Sequence, residues 1–390
     1  MAPAPRDEVR VPLRTVAREW TRIGLTGFGG PPAHIALLRR LVVEHHRWLD
    51  AREFEDANAA CGLLPGPAST QLAIFCAYRA GGPAGGVIGG LGFVVPAVVL
   101  IIALSVLFLG SAPPAWARGA GAGAGAAVGA VAIRAALGLL GPSLERARER
   151  RGTLARWLVY VVLGAAGAAL FGAYLVLALL ACGLVELALR RPFGPRLAAL
   201  PLPSGSMPGA IVTAGGIGAL AGTAFKVGAL SFGGGFVIIP LMQGDAVHTY
   251  HWMTDTQFLN AVALGQVTPG PVVATVAAVG YAAHGIGGAA LAAAVAFLPS
   301  FSFVLLAGRR LSALRESARA RAFLDGAGPA AIGAIAGAAV PLAGALRDGW
   351  QVAVLAAAAV TLLLLRSGVV TTLVAAGLVG AIVALAGGPA

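Results

Sequence analysis

The chain has 390 residues, 58% of them hydrophobic and 11% charged, with 56 glycines and a mean hydropathy of +0.84. Soluble domains run near 45–50% apolar and about 25% charged, so a soluble enzyme, a disordered chain and a nucleic-acid binder are all excluded. The formal charge of +12, from 28 basic and 16 acidic residues, sits mostly in short segments between apolar runs, where it reads as an orientation signal.

Taken in chain order, the N-terminus MAPAPRDEVRVPLRTVAREW lacks an early uninterrupted apolar core and so shows no cleaved signal peptide. A helix spanning the hydrocarbon core needs roughly 17–25 residues. After a broken region at 15–38, the stretches that meet or approach that length are 57–78, 84–109, 119–141, 157–189, 211–241, 259–282, 285–307, 327–346 and 350–387. Both 157–189 and 350–387 have room for a pair of short helices, the latter turning near Arg366, Ser367 and Gly368. The total is about ten to twelve crossings. Helices pair their own backbone groups in lipid, and period-2 alternation is absent, which argues against a β-barrel. Cys61, Cys76 and Cys182 lie in or beside apolar stretches without metal spacing and read as small packing residues.

An internal repeat organises the chain. GFGGPPAHIALL at 27–38 is echoed by SFGGGFVIIPLM at 231–242. At the same offset of 204, Trp48 matches Trp252, Phe54 matches Phe258, and Pro65, Gly66 and Pro67 match Pro269, Gly270 and Pro271. After a one-residue slip, Tyr78 matches Tyr281 and Pro96 matches Pro299. The expected domains are an N-terminal membrane repeat at 11–190, a linker and start of the second repeat at 191–214, and a C-terminal membrane repeat at 215–387.

Loop charge suggests how the copies are disposed. Residues 142–156 carry five Arg, whereas their counterpart near 347–349 has Arg347 offset by Asp348; conversely, 309–321 carry five Arg and 111–118 only Arg118. If positive segments face the cytoplasm, equivalent loops lie on opposite sides, as in the inverted repeats of many secondary carriers. Inversion requires an odd number of crossings per copy, while six plus six is even. Either 157–189 crosses once as a long tilted helix, or a broken element is re-entrant. The fold class expected is an all-α polytopic membrane protein of two homologous helical repeats, inverted, with broken helices near the centre.

The paired glycine motifs, with Gly29 and Gly30 in one and Ser231, Gly233 and Gly234 in the other, permit non-helical backbone in apolar surroundings. An interrupted helix presents free N–H groups and a positive dipole end to an anion; close helix packing is the alternative use of small residues. Six residues before each motif Phe comes a cation, Arg22 and Lys226, the latter the only lysine. A charge inside an apolar segment is costly unless paired, hydrated or snorkelled, and Arg22 also fits a membrane-end anchor. Arg134 stands in another apolar run. Fixed cations favour an anionic substrate over a metal.

LLPGP at 63–67 and VTPGP at 267–271 obstruct continuous helices. Asn58, Ser69, Thr70 and Gln71 lie near the first, and Asn260, Gln266, Thr268 and Thr275 near the second, offering hydrogen bonds to a tetrahedral oxyanion. A purely structural kink is the other reading. Pro96 and Pro299 look like helix kinks. His34, Asp245, His248 and His251 fall near expected membrane boundaries, where shuttling protons, gating and a solvated loop role are all open. No HExxH, CxxC pair, nucleophile elbow or phosphate-binding loop is present, so no enzyme, metal or cofactor is expected.

With GLTGFGGPPAHIALLRR at 24–40, NAACGLLPGPASTQLAIFCAYRAG at 58–81, KVGALSFGGGFVIIPLMQGDAV at 226–247 and FLNAVALGQVTPGPVVATVAAVGY at 258–281, the chain resembles the chromate ion transporter family over nearly its whole length. The resemblance implies a full-length, two-copy carrier of the bacterial plasma membrane that exports chromate, with sulfate as the related oxyanion. Gly27 stands where the family's first motif usually has Ser, and Gln243 where many relatives are acidic. The expected substrate site is Arg22, Gly29, Gly30, Pro65, Gly66, Pro67, Lys226, Ser231, Gly233, Gly234, Gln266, Thr268, Pro269 and Gly270, with Arg134 and Asp245 in coupling or gating. The expected partners are a chromate- or sulfate-like oxyanion, the lipid bilayer, a coupling proton and a second copy of the chain, with no nucleic acid. An anion channel and a non-transporting structural subunit are the competing functions.

Overall fold

The computed structural model describes residues 11–62, 64, 66–110, 112–148, 153–171, 175–190, 215–231, 235–307 and 317–389. The first copy runs through α1 (Leu13–Thr26), α2 (Gly30–Arg39, extended by a π turn at Arg40–His45), α3 (Ala51–Cys61), α4 (Ala68–Leu109), α5 (Ala115–Arg148), α6 (Thr153–Phe171) and α7 (Leu175–Leu189). The second follows in the same order. It comprises α8 (Ile217–Ala229), α9 (Ile238–Gln243, with a π turn at Gly244–Thr249), α10 (Asp255–Val267), a 3-10 turn (Val272–Thr275) leading into α11 (Val276–Ala307), α12 (Ala318–Gly337), α13 (Ala339–Gly344), α14 (Gly349–Ala359, with a π turn at Val360–Leu364) and α15 (Val369–Leu385). The described residues are helical and contain no strand.

Local chemistry repeats with the sequence. Asp50 caps α3 by accepting from the Glu53 N–H at 2.7 Å. Its counterpart Thr254 caps α10 in a reciprocal box with Gln257. Each cap satisfies amide groups that the first helical turn leaves open, fixing where the chain turns inward in both copies.

The expected spans 57–78 and 259–282 do not each form one helix. The first is divided between α3 and α4 by the turn at Gly66, and the second between α10 and α11 by the turn at Gly270. Two prolines and a glycine remove backbone donors and the helical dihedrals together. A second division falls where the sequence separates 57–78 from 84–109 and 259–282 from 285–307. α4 doubles back at Gly81 and Gly82, the latter at φ 69°, ψ −166°, and α11 doubles back at His284 and Gly285, the latter at φ 62°, ψ −154°. A side chain is strongly disfavoured in that region. The arms then pack closely, with Gly85 and Gly89 against Ala77, and Gly280 against Gly288 and Ala292. Pro96 and Pro299, expected to kink, lie within arms whose dihedrals stay helical.

Each copy therefore has short hairpins that reach inward and return. Glu53 and Arg79 form an ion pair at 2.5 Å across the mouth of the α3–α4 hairpin, while the Gly66 turn lies at its other end. α1 starts beside the α4 fold-back, where the Val11 N–H donates to the Ala80 carbonyl at 2.9 Å, and runs along the second arm until Gly24 meets Gly92 and Phe93. In the second copy Gly228 meets Ala296 in the same way.

The copies interlock. The long second arms of α4 and α11 run antiparallel, with Gly86 beside Leu305 and Gly90 beside Phe301. α12 packs on α6 and α7 of the first copy, setting Gly333 against Val161, Gly337 against Ala165 and Gly326 against Cys182. Reciprocally, α5 packs on α15, setting Gly119 against Gly380 and Gly123 against Ala376. Glycine at these crossings lets backbones touch, the packing that works without a hydrophobic drive in lipid. Region 157–189 forms two helices, and 350–387 turns at Arg366 as its sequence suggested.

By length and apolarity, five helical segments among the described residues can cross a membrane: Ala68–Leu109, Ala115–Arg148, Thr153–Leu170, Val272–Leu306 and Ala318–Gly344. Their outer faces expose Leu158, Val162, Leu170, Leu298 and Leu306, a surface that lipid tolerates and water does not.

Candidate functional site

The two proline–glycine turns meet the opposite copy. Gly66, at φ +119°, faces the Gly228 carbonyl and the Ser300 hydroxyl of the second copy. Gly270, at φ +101°, faces Ala97 and the Gly24 carbonyl of the first. Gly228 is the repeat partner of Gly24, and Ser300 that of Ala97, so the contacts are reciprocal. At the turns themselves a backbone hydrogen bond ties the halves, from the Gly270 N–H to the Gly27 carbonyl at 3.0 Å.

Gly29, at φ +103°, caps α2, and Pro31 and Pro32 occupy its first turn, where missing donors do no harm. Gly66 and Pro67 are buried and lead into α4. The same holds for Pro269 and Gly270 before the Val272 turn. Helix starts from both copies thus lie around the turns, and their amide ends favour negative charge. Pro65, Gly233 and Gly234 lie outside the described residues.

The polar neighbours separate into two groups. Thr268 donates to the Leu264 carbonyl at 2.9 Å, and Thr275 to the Val272 carbonyl at 2.7 Å, so the expected hydrogens for an oxyanion are already used. Asn260, with its amide turned to donate, braces α10 against the Gly121 carbonyl of α5 at 2.7 Å. By contrast, the Thr70, Ser231 and Ser300 hydroxyls and the Gln266 amide nitrogen are buried with no hydrogen-bond partner among the described residues. An unpaired buried donor is costly, and each of these sits within about a turn of a break. Ser300 was missed in the sequence because it follows Pro299 far from either motif; the repeat alignment with Ala97 carries no hint of its hydroxyl.

The cations have partners that their spacing did not reveal. Lys226 Nζ lies 2.5 Å from Asp245 Oδ2, which also accepts from the Thr223 hydroxyl at 2.8 Å. Asp245 is buried rather than solvated at a boundary, because the π turn after α9 points it back at α8. Arg22 pairs with Glu19 at 3.5 Å, but its side chain is 73% exposed. Thr223 occupies the repeat position of Glu19: the acid sits on the same helix in one copy and arrives from the next element in the other. Arg134 is half-buried on α5, with no carboxylate within 4.0 Å among the described residues. His34 is likewise buried rather than solvated, whereas His248 and His251 are exposed.

A second buried carboxylate lies apart from the breaks. Glu186 on α7 receives Arg190 at 2.6 Å, Arg156 at 3.6 Å and the Tyr160 hydroxyl at 3.0 Å, and Arg190 also reaches Asp325 on α12. This network fastens one copy's terminal hairpin to the other copy's long helix.

A lipid-facing bundle of two interlocked helical copies, with interrupted helices and unspent donors between them, defines a polytopic membrane transporter. The sequence profile of the chromate transporter family matches residues 14–187 and 218–381, so the chain belongs to that family, in its full-length two-copy form. It is 32% identical over 342 residues to a "Chromate transport protein" of Cupriavidus metallidurans, covering 85% of this chain and 82% of that one. It is 33% identical over 352 residues to one of Pseudomonas aeruginosa, covering 83% and 79%. A "Probable chromate transport protein" of Synechococcus elongatus is 30% identical over 352 residues, covering 85% and 84%. No solved structure matches the chain significantly. The family is one of transporters rather than enzymes, and the chain is a multi-pass protein of the bacterial inner membrane.

Proposed function

We propose that this protein is a secondary carrier that exports an inorganic oxyanion, chromate foremost with sulfate as its tetrahedral relative, through one site shared by both copies. The observation that carries this reading is the reciprocal docking of the Gly66 and Gly270 turns beside buried, unpaired Thr70, Ser231, Ser300 and Gln266 groups. Helix-start amides around Gly29, Gly30, Gly66, Pro67, Pro269 and Gly270 supply fixed positive potential, and the free hydroxyl and amide hydrogens replace water on the anion. Pro65, Gly233 and Gly234 belong to the same motifs. Thr268 shapes the turn, with its own hydrogen spent on backbone. Lys226 balances the dianion and exchanges Asp245 for it, which makes Asp245 the competing ligand that gates binding. Arg22, exposed and paired with Glu19, draws anions toward the entrance. Arg134 is a second cation along the path.

Inversion of the repeats belongs to the same reading. A two-fold axis that relates two antiparallel membrane-crossing arms must lie perpendicular to them, in the membrane plane, and the α4 and α11 second arms pack antiparallel. The exchanged Arg-rich segments at 142–156 and 309–321 agree in sign. Equivalent halves closing in turn on a fixed central site then give alternating access.

Flux into everted membrane vesicles or proteoliposomes tests the function, comparing chromate, sulfate, molybdate, phosphate and chloride with and without an imposed pH gradient. A carrier gives saturable uptake accelerated by anion on the far side. Unsaturable conductance would make the protein a channel, and absence of any anion flux from folded protein would refute transport.

A further inference from the structure

His34 is fully buried on α2, and the reading above gives it no task. Its Nε2 lies 2.9 Å from the Gly27 carbonyl. A carbonyl only accepts, so Nε2 carries the hydrogen, and Nδ1 presents its lone pair to the Ser69 hydroxyl 3.4 Å away at the start of α4. The same Gly27 oxygen accepts the Gly270 N–H of the second copy. One imidazole thus joins the end of α1, the first turn of α4 and the cross-copy hydrogen bond.

The groups facing the ring are the Gly27 carbonyl from α1, Ser69 and the Phe93 ring from α4, the latter edge-on at 5.0 Å, and the Gly270 amide reached through Gly27. None of them titrates. The charged pairs on the neighbouring elements, Arg22–Glu19 on α1 and Glu53–Arg79 between α3 and α4, engage each other. Arg39, Glu44 and Glu55 engage one another beyond the far end of α2. Among the described residues, nothing against the ring offsets the cost of charging it without an anion. A dianion at the α2 and α4 helix starts, about one turn away, does. With Nε2–H committed to Gly27, the second proton has one place to go, Nδ1, and the Ser69 hydroxyl can rotate to accept from it.

We propose that His34 is the proton-binding residue of the oxyanion site: one proton from water bonds to Nδ1 as the dianion binds, and leaves when the anion leaves. No bond to the anion forms or breaks, and the site carries one more positive charge while the anion is bound. The inference rests on the carrier reading. It is confined to the first copy, because the repeat position of His34 is Ile238.

The test uses the purified full chain in nanodiscs, with sulfate as probe because it stays doubly charged from about pH 5.5 to 8, the range in which an imidazole titrates. Wild type should bind sulfate up to about tenfold more tightly per unit fall in pH within that window, taking up close to one proton per anion in lightly buffered solution. His34→Gln keeps an N–H that can reach the Gly27 carbonyl but has no titratable nitrogen; it should bind with no pH slope and no proton uptake. A slope or uptake retained in His34→Gln overturns the proposal, as does wild-type sulfate binding that ignores pH. Histidine ¹⁵N NMR on wild type decides independently of the variant's folding. The buried ring should be the neutral Nε2–H tautomer when empty and imidazolium with saturating chromate at pH 7, and a ring that stays neutral overturns the assignment. Wild type that binds neither sulfate nor chromate at any pH would instead sink the carrier reading itself.

Discussion

Lys226 and Asp245 allow stability and anion binding to be separated by a double-mutant cycle. Lys226→Met leaves the Asp245 carboxylate, only 3% exposed, with the Thr223 hydroxyl at 2.8 Å as its remaining donor among the described residues. Stranding one member of a fully buried pair costs about 3–5 kcal/mol. The Lys226 side chain is 41% exposed, so water already shares the pair, and about 1–3 kcal/mol is expected. Asp245→Leu, which installs the residue found at the repeat position Leu41, frees Lys226 to turn toward solvent and should cost about 1 kcal/mol or less. The double variant removes both charges and should be more stable than Lys226→Met by about 1–2 kcal/mol. Thermal unfolding of purified protein at matched detergent concentration ranks the four forms. Chromate binding by calorimetry then asks a different question. If Lys226 exchanges Asp245 for the dianion, the re-stabilised double variant should still bind about 10- to 100-fold more weakly than wild type, the worth of one charged hydrogen bond, and Lys226→Arg should lose less. Strictly additive stabilities would refute the pairing, and wild-type affinity in the double variant would refute the role of Lys226 as a ligand.

At the cross-copy turns, Gly270→Ala should be the more damaging of the pair. Its Cβ would stand 2.6 Å from Ala97 Cβ, which α4 holds in place, adding about 1–3 kcal/mol of overpacking to about 1–2 kcal/mol for a side chain in the left-handed region. Gly66→Ala meets instead the end of the Gln71 amide at 2.7 Å, a flexible neighbour, so its melting point should fall less; equal losses would contradict the geometry. Single-Cys labelling, after replacing the buried Cys61, Cys76 and Cys182, should find Arg146→Cys and Arg319→Cys both accessible from the cytoplasm, and labelling from opposite faces would remove the charge argument for inversion. Glu186→Leu should lower the melting temperature by the equivalent of about 1–2 kcal/mol, since Arg156 and Arg190 stay partly hydrated and Arg190 retains Asp325. Sulfate affinity should be unchanged in that variant, and a large affinity loss would place Glu186 in the transport path.

Much of this protein is set by sequence through effects that act locally. Low charge and long apolar runs decide that the chain lives in lipid, because no tertiary contact rescues so apolar a surface in water. The repeat at 204 residues decides that two equivalent halves exist, and the proline–glycine turns decide where helices stop, because those residues lack the donors and dihedrals a helix needs. The fold-backs at Gly82 and Gly285 were also written locally, in a glycine–proline step and a histidine–glycine step that separate the expected spans, although nothing in the spacing says that the two arms pack closely on each other. Other features depend on which surfaces meet, and only the tertiary structure decided them. Lys226 finds Asp245 nineteen residues away through a π turn that hydrophobic periodicity does not encode. Thr268 and Thr275 look like anion donors in one dimension but spend their hydrogens on their own helices, while Ser300, inconspicuous in sequence, is delivered to the opposite copy's turn. His34 reads as a boundary residue until α2 folds inward and buries it between Gly27 and Ser69. For Lys226, Ser300 and His34 the reason is common: the groups they face lie across helices or across copies, and that pairing is fixed by the close approach of glycine-lined backbones rather than by spacing along the chain.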